Sequence, residues 1–365
     1  MPTNVKLLDL SRVLAGPLCT MTMGDLGASV IKVERPGTGD DTRGWGPPFD
    51  ERGESAYYLS VNRNKKSIAL DLEIAADREA ILRLAREADV VVDNFRGGTL
   101  ERRGIDPSRM VQENPNLIWC TISGFGQDNP RAGYDLVLQA ESGWMAITGE
   151  AEGNPMRVGV ALADIIAGKD ATIAILAALA ARGISNGPLP AEQRRIHISL
   201  LNSATAALIN VAQNSLVTGK DAKRWGNQHP NLVPYQLFHA ADRPMIVAVG
   251  SDAQWKAFAR AAGLDDLAAD ESLSKNAGRL AQRDRIVERV AERLLEKPAA
   301  DWIAMFDDAA VPCGVVKTVL ESVTEGGGSP LTGIPPSVPG TVRLPPPRLD
   351  EHGDEIRRLG WDAFV

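Results

Sequence analysis

The first thirty-four residues limit what this chain can fold into. Val5–Asp9 is a short apolar run of strand character, and Leu14-Ala15-Gly16-Pro17 is a turn with proline near a first helical position. Leu18–Leu26 is helical and stopped by Gly27, and Ser29–Glu34 (SVIKVE) is a second strand. A strand, a helix and a strand in that order make a right-handed crossover between parallel strands. The pattern continues. Ser67–Leu72, Val90–Asp93, Leu117–Ser123 and Arg194–Ser199 read as further strands. Ala75–Glu87, Leu100–Gly104 and Leu200–Val217 read as helices, and Tyr57–Asn62 suits either state. Such alternation predicts an α/β fold with a parallel sheet covered on both faces.

Beyond residue 218 the composition shifts. Gly219–Pro234 is polar and turn-rich, and it reads as a crossing between domains. Tyr235–His239 and Pro244–Gly250 flank a short turn as a hairpin does, and helices follow at Ala253–Ala262, Arg279–Glu296 and Ala299–Ala309. The predicted organisation is a large domain over 1–218, a linker over 219–233 and a smaller α+β domain over 234–322. A segment over 323–365, rich in proline and glycine, cannot build a core of its own. It runs back to the large domain or onto a partner subunit.

A net charge of −7 argues against a nucleic-acid surface. Cys19, Cys120 and Cys313 are widely spaced and form no metal-ligand pattern, which predicts reduced thiols and no metal centre. No apolar run is long enough to span a bilayer, and MPTNVKLLDL does not read as a signal peptide, so a cytoplasmic location is expected. Neither GxGxxG nor GxxxxGK[ST] occurs, so a dinucleotide or P-loop site has no support. Ser11, Ser123 and Ser142 lack a nucleophile-elbow context.

The strongest chemical candidate is Asp164. The stretch RVGVALADIIAGKDATIAILAALAARG, Arg157–Gly183, reads as an apolar run leading into Asp164 and then a small-residue helix, Ile165 to about Arg182. An aspartate at that boundary caps the helix by accepting free N–H groups, whose partial positive charge would hold it ionised. A plain helix cap and a carboxylate nucleophile both suit those residues. Four cations, Arg35, Arg43, Lys66 and Arg102, fall at strand ends; each alone reads as a solvated surface charge, and only their shared location suggests a site for a phosphate-bearing ligand. Tyr134 could bond a substrate carbonyl, Asp135 could cap the short helix Leu136–Ala140, and His229 sits in a polar turn as a structural histidine would.

Several ordered motifs give a resemblance. These are DLSRVLAGPLCTMTMGDLGASVIKVERPGTGDDTRGW (Asp9–Trp45), NRNKKSIALDL (Asn62–Leu72), VVVDNFRGGTLERRGID (Val90–Asp106), SGFGQ (Ser123–Gln127), GYDLVLQAESGWM (Gly133–Met145) and VALADIIAGKDATIAILAALAAR (Val160–Arg182). WGNQHPNLVPYQLFHAADRPMIVAVGSDAQW (Trp225–Trp255), VPCGVV (Val311–Val316) and PPPRLDEHGDEI (Pro345–Ile356) extend them over nearly the whole chain. Together they resemble the class III CoA-transferase family of the CaiB/BaiF type, which is related to α-methylacyl-CoA racemase. The resemblance implies a Rossmann-like large domain, an interlocked ring-shaped homodimer, and acyl-CoA and a small carboxylic acid as substrates, with no permanently bound cofactor. It implies Asp164 as nucleophile, forming an acyl-aspartyl anhydride and then an aspartyl-CoA thioester, with backbone N–H groups near the helix start stabilising each oxyanion. Tyr134 is implied beside it, and Val13, Leu14, Ala15, Arg35, Leu70, Asn94 and Arg102 are implied as CoA contacts.

Two departures narrow the expectation. The racemase branch carries a histidine where this chain has Tyr134, and a phenol of ordinary pKa about 10 is a poor base, so transfer is favoured over racemisation. The formate- and oxalate-linked branch has a glycine run that Val217–Pro234 lacks. The alternatives to a transferase are a racemase or epimerase and a non-catalytic CoA-binding homologue. Donor and acceptor are not legible.

Overall fold

The computed structural model describes residues 4–127, 129–185 and 188–365. Residues 1–3, part of the segment read for a signal peptide, and Asp128, inside the loop from Gly124 to Arg131, lie outside the described residues. The chain divides into two compact units. The first comprises residues 1–146, 157–222 and 323–365, and the second comprises 147–156 and 223–322. The second unit therefore draws in Ile147–Met156, a stretch that the sequence places inside the large domain 1–218.

The first unit is built on six parallel strands: β1 (Lys6–Asp9), β2 (Ser29–Glu34), β3 (Lys65–Ala69), β4 (Val90–Asp93), β5 (Ile118–Ser123) and β6 (Arg195–Ser199). Their order is β3-β2-β1-β4-β5-β6. The strands are apolar on both sides because both faces are covered. Leu7, Val90, Val92 and Ile122 enter one core; Leu8, Ile31, Val91 and Trp119 enter the other.

The long helix Leu162–Ile184 lies on the first of these faces, beside the helix Ala15–Asp25. Its buried stripe is Ala163, Ala167, Ala171, Ile175 and Ala178, spaced by three or four residues, as one helical face requires. Small side chains let the two helices approach closely. A Cβ at Gly168 would stand 2.6 Å from the Ala15 carbonyl oxygen, a backbone atom that cannot rotate away.

The C-terminal segment finishes the sheet. β3 is an edge strand, and unpaired edge groups invite pairing with other chains. Here Leu344 O accepts from Asn64 N (2.9 Å), and Asp350 Oδ1 accepts from Ala69 N (2.8 Å). Trp361 then enters the second core, with its indole N–H donating to Leu84 O (3.0 Å).

The second unit carries three antiparallel strands, β7 (Tyr235–His239), β8 (Pro244–Ala248) and β9 (Cys313–Val315), in that order. Helices Asp252–Ala261, Arg283–Leu294 and Ala299–Asp308 pack a core centred on Trp255, Phe258, Trp302 and Phe306. The protein is thus a mixed α/β structure with one six-stranded parallel sheet and one small antiparallel sheet.

Some elements differ from the sequence expectation. The third strand starts at Lys65, not Ser67, because the buried Lys65 ammonium is anchored beneath β1. Tyr57–Asn62 contains one helical turn, Ala56–Leu59, capped by Ser55. Leu200–Val217 is two helices, Leu200–Ala206 and Ile209–Thr218, interrupted where Ile209 takes a φ of 42°.

The helix contact gives a paired prediction. Gly168→Ala should destabilise the protein by about 2 kcal/mol despite alanine's better helix propensity, because the methyl meets backbone. Gly183→Ala, in the same helix with nothing within 4 Å of the place its methyl would take, should instead stabilise it by up to about 1 kcal/mol. Denaturant titration of both variants tests this; equal shifts of the same sign would refute the contact.

Candidate functional site

The site begins with a loop pinned residue by residue. Asp9, at the end of β1, is fully buried and accepts from Ser11 N (2.9 Å), Thr20 Oγ1 (2.7 Å) and Lys65 Nζ (3.0 Å). Burial alone would raise its carboxyl, but Lys65 and Lys32 hold it below the usual carboxylate range. Lys32 donates to the Ser11 carbonyl (2.9 Å) and pairs with buried Asp40 (2.9 Å). Asp40 in turn accepts from Val13 N (3.2 Å). Val13 has a φ of 72°, a costly conformation for a β-branched residue, so this loop shape is imposed by its surroundings.

That shape directs the start of the helix Ala15–Asp25. Its N-cap position, Leu14, supplies no side-chain cap. The backbone of Ala15 instead bonds the carboxylate of Asp164. Asp164 is not the N-cap of its own helix, as the sequence leads one to expect. The helix starts earlier, at Leu162, and Asp164 stands in its first turn. The capping is done by Asp135, which heads the helix Asp135–Glu141 and was expected to cap that helix. Its Oδ1 accepts from Ala163 N (2.8 Å) and its Oδ2 from Gln139 Nε2 (2.7 Å). Gln139 Oε1 accepts from Val158 N (2.8 Å), so Asp135 and Gln139 together clamp the entry to the long helix.

The electrostatic result also departs from expectation. The Asp164 carboxyl is raised above the usual carboxylate range, not lowered below it. Burial, and next the neighbouring Asp135 carboxylate, push its pKa up to about 7, against the lowering effect of the Ala15 hydrogen bond. Three of the first-turn N–H groups expected to serve as oxyanion donors are occupied: Leu162 N by Val160 O, Ala163 N by Asp135, Ile165 N by Ala161 O. The uncapped start of the helix Ala15–Asp25 is the amide source that faces Asp164.

Asp164 lies in a cleft of about 440 Å³. Its walls come from the loops after β1, β4 and β5 and include Val13, Ala15, Asn94, Ser123, Gly133 and Tyr134. β1 and β4 are neighbours at which the strand order reverses, and open α/β sheets bind ligands at that reversal, beyond the carboxyl ends of the strands. Tyr134 is 65% exposed on the cleft. It is delivered there by a close backbone approach, since a Cβ at Gly133 would sit 2.5 Å from Gly124 Cα. Tyr57, absent from the sequence candidates, also feels the site. Burial, then Asp164 and Asp135, raise its phenol to about 12. Its ring meets Trp45 edge-on at 5.2 Å.

A second cavity, about 290 Å³, opens beyond β2 and β3. Arg35 and Leu70 line it; Val13, Ala15 and Asn94 line the first; Leu14 starts the helix between Val13 and Ala15. Arg102 lines neither and donates to Thr99 Oγ1 (3.3 Å). The expected group of four cations is not assembled. Arg43 is buried in ion pairs with Glu34 (2.8 Å) and Glu54 (2.7 Å), and Lys66 lies in β3, paired with Glu355 (2.8 Å). Asn94 spends its amide on the Arg12 backbone, accepting from Arg12 N (2.9 Å) and donating to Arg12 O (2.7 Å). His229 has the structural role read for it, its Nδ1 accepting from Asn231 N (3.0 Å).

Among the described residues no group of three or more His, Cys, Asp or Glu is placed to hold a metal ion, and no helix is long and apolar enough to cross a membrane. What sequence reasoning chiefly missed at the site is the helix that Asp135 caps. The visible signal is an acid directly after Tyr134; its target, 28 residues away, is not visible.

The chain is similar to known proteins over nearly its whole length. The chain matches the profile of CoA-transferase family III over residues 3–352. It is 41% identical over 325 residues to a mouse succinyl-CoA:glutarate CoA-transferase (Mus musculus), covering 88% of this chain and 73% of that one. It is 39% identical over 327 residues to a succinate–glutarate CoA-transferase of Agrobacterium fabrum, covering 87% and 80%. A solved CaiB/BaiF family protein from Brucella suis superposes with a TM-score of 0.84 at 37% identity, covering 98% of both chains. With that match from end to end and a cleft at the strand-order reversal, the chain belongs to CoA-transferase family III and is a CoA-transferase.

Proposed function

We propose that this enzyme moves CoA from a dicarboxylic acyl-CoA, such as succinyl-CoA, to a second small dicarboxylic acid through covalent intermediates on Asp164. The observation that carries the mechanism is the placement of Asp164, half-buried in the cleft and bonded to the Ala15 backbone. The names of the mouse and Agrobacterium relatives support the substrate class, and Arg96, Arg131 and Arg195 in the cleft suit carboxylates.

Ionised Asp164 attacks the donor thioester carbonyl, and the C–S bond breaks to give an acyl-aspartyl anhydride and CoA thiolate. The thiolate attacks the Asp164 carbonyl, releasing the donor acid as its carboxylate and leaving an aspartyl-CoA thioester. The acceptor carboxylate then attacks that thioester, forming a new anhydride and freeing the thiolate. Attack of the thiolate on the acceptor carbonyl yields the new acyl-CoA and regenerates Asp164. Each tetrahedral intermediate carries an oxyanion. The uncapped amides at the start of the helix Ala15–Asp25 are the proposed donors, with the Tyr134 hydroxyl as a second.

CoA is proposed to lie across both cavities, with its nucleotide end by Arg35 and Leu70 and its thioester past Val13, Leu14, Ala15 and Asn94 toward Asp164. Arg102 would meet it from outside the cavities. We further propose that the chain acts as a homodimer of interlocked rings in the cytoplasm. Exposed Ile209, Leu216 and Val217 on one helix support an apolar contact surface, and three free cysteines support a reducing compartment. Light scattering should then give about twice 39.1 kDa; a monomer mass at micromolar concentration would exclude the dimer.

Two further tests concern Asp164 and its neighbour. Hydroxylamine or borohydride added during turnover should label Asp164, and Asp164→Asn should abolish transfer. The same variant should be more stable than the parent at pH 8. The folded state holds a proton on Asp164 up to about pH 7, whereas the unfolded chain releases it near 3.8. Parent stability therefore falls across that window, and the deficit is complete above it. Asparagine escapes the deficit, which is at most about 4 kcal/mol before solvent screening reduces it, and the advantage vanishes below about pH 4. An Asp164→Asn protein that is inactive and less stable at pH 8 would contradict this balance.

Because the nucleophile must be ionised, kcat/KM should rise with pH through about 7 and level off above. Asp135→Asn removes a like charge and should move that limb to lower pH. A limb that stays in place would remove Asp135 from the control of Asp164.

A further inference from the structure

Arg12 and Phe95 are the two described residues that line both cavities, so they form the partition between them. They meet across it, with the Arg12 guanidinium carbon 5.7 Å from the Phe95 ring centre. The Arg12 backbone is held rigidly by the two-way bond to Asn94, which fixes the loop after β1 to the loop after β4. The side chain, in contrast, is lightly committed. Nη1 makes one exposed ion pair with Asp41 (2.9 Å), and Nε is buried without a partner.

We propose that Arg12 is the residue that recognises the diphosphate of CoA. The inference rests on the reading of the two cavities as one CoA thioester site. A thioester whose nucleotide lies in the second cavity and whose sulfur reaches Asp164 in the first must cross the Arg12–Phe95 partition. The part of CoA between nucleotide and pantetheine is the diphosphate, the group of highest charge density on that path. A guanidinium presents several donors in a planar fork that matches phosphate oxygens, and the exposed pair with Asp41 is easily exchanged for a stronger anion. Asn94 then acts through Arg12: it is a positioning residue that keeps the partition between the cavities.

The test is calorimetric titration of the full chain with CoA, dephospho-CoA and adenosine 3′,5′-bisphosphate. Arg12→Ala should weaken CoA and dephospho-CoA by the same factor, about 30-fold, since both carry the diphosphate. The bisphosphate, which keeps only the adenosine-side phosphate of the diphosphate, should weaken by a clearly smaller factor than either. Arg12→Lys, which keeps the stem against Phe95 and the charge without the fork, should recover part of the loss and serves if the alanine variant unfolds. Steady-state kinetics with succinyl-CoA should show the effect in KM, with kcat changed little. The proposal is overturned if the loss appears with CoA but not with dephospho-CoA, which assigns Arg12 to the 3′-phosphate. It is also overturned if all three ligands weaken alike or if kcat falls at constant KM. Binding requires no turnover, so a failure to trap Asp164 leaves this result standing, while absence of CoA binding by the parent chain removes the reading beneath it.

Discussion

The structure depends on a set of charges buried beneath the first loop. Asp9, Lys32, Lys65 and Asp40 lie under the strand ends of β1, β2 and β3, and the first three are wholly shielded from water. Burying such groups is expensive, and it is tolerable here only because each is paired and hydrogen-bonded. What the arrangement provides is shape. Lys32 holds the Ser11 carbonyl and Asp40 holds the Val13 amide in its strained conformation; between them the chain is turned so that Ala15 faces Asp164. Removing one partner would leave an uncompensated buried charge, a loss of about 3 to 5 kcal/mol, and would free the loop that shapes both cavities.

From that loop the site is assembled by helix ends that satisfy one another. The helix Ala15–Asp25 has no side-chain cap and takes Asp164; the helix Leu162–Ile184 takes Asp135 from a third helix. Free amides at helix starts need partners, and here each partner is a carboxylate from another element. The close contact at Gly168 keeps the first two helices near enough for this exchange. Positioning of Asp164 is thereby linked to the packing of the core.

Much of the sheet was legible in the sequence because its strands are buried on both faces and read as continuous apolar runs, as VVVD at β4 does. The ordered motifs identified the family because they are local strings. What escaped was long-range. Arg43 reads as a strand-end cation, but its partner Glu54 and the Tyr58 ring against which it lies place it in the interior. Asn94 follows a strand and lines the cleft, but that its amide also ties down the Arg12 backbone, 82 residues back, is not visible in the string. The start of the long helix was misjudged by three residues because the cap that sets it, Asp135, lies on a different helix. Local composition fixes which residues are polar; it does not say which of them meet.

The raised pKa of Asp164 bears on the direction of the proposed reaction. In the acyl-aspartyl anhydride the CoA thiolate has two carbonyls to choose from. Attack on the acyl carbon expels Asp164 and returns the donor; attack on the aspartyl carbon expels the donor acid and goes forward. The better leaving group is the weaker base. A small dicarboxylic acid resembles a glutamate side chain, with a pKa of about 4.3, whereas Asp164 in its buried setting beside Asp135 titrates at about 7. Departure of the donor acid is therefore favoured, and the intermediate is drawn toward the aspartyl-CoA thioester. The same basicity makes ionised Asp164 a stronger nucleophile than an exposed aspartate while leaving a large fraction ionised near neutral pH. An N-cap held fully ionised, the arrangement expected from the sequence, would have been a weaker nucleophile and a better leaving group. Placing Asp164 inside the first turn and giving the cap to Asp135 is what separates the two cases.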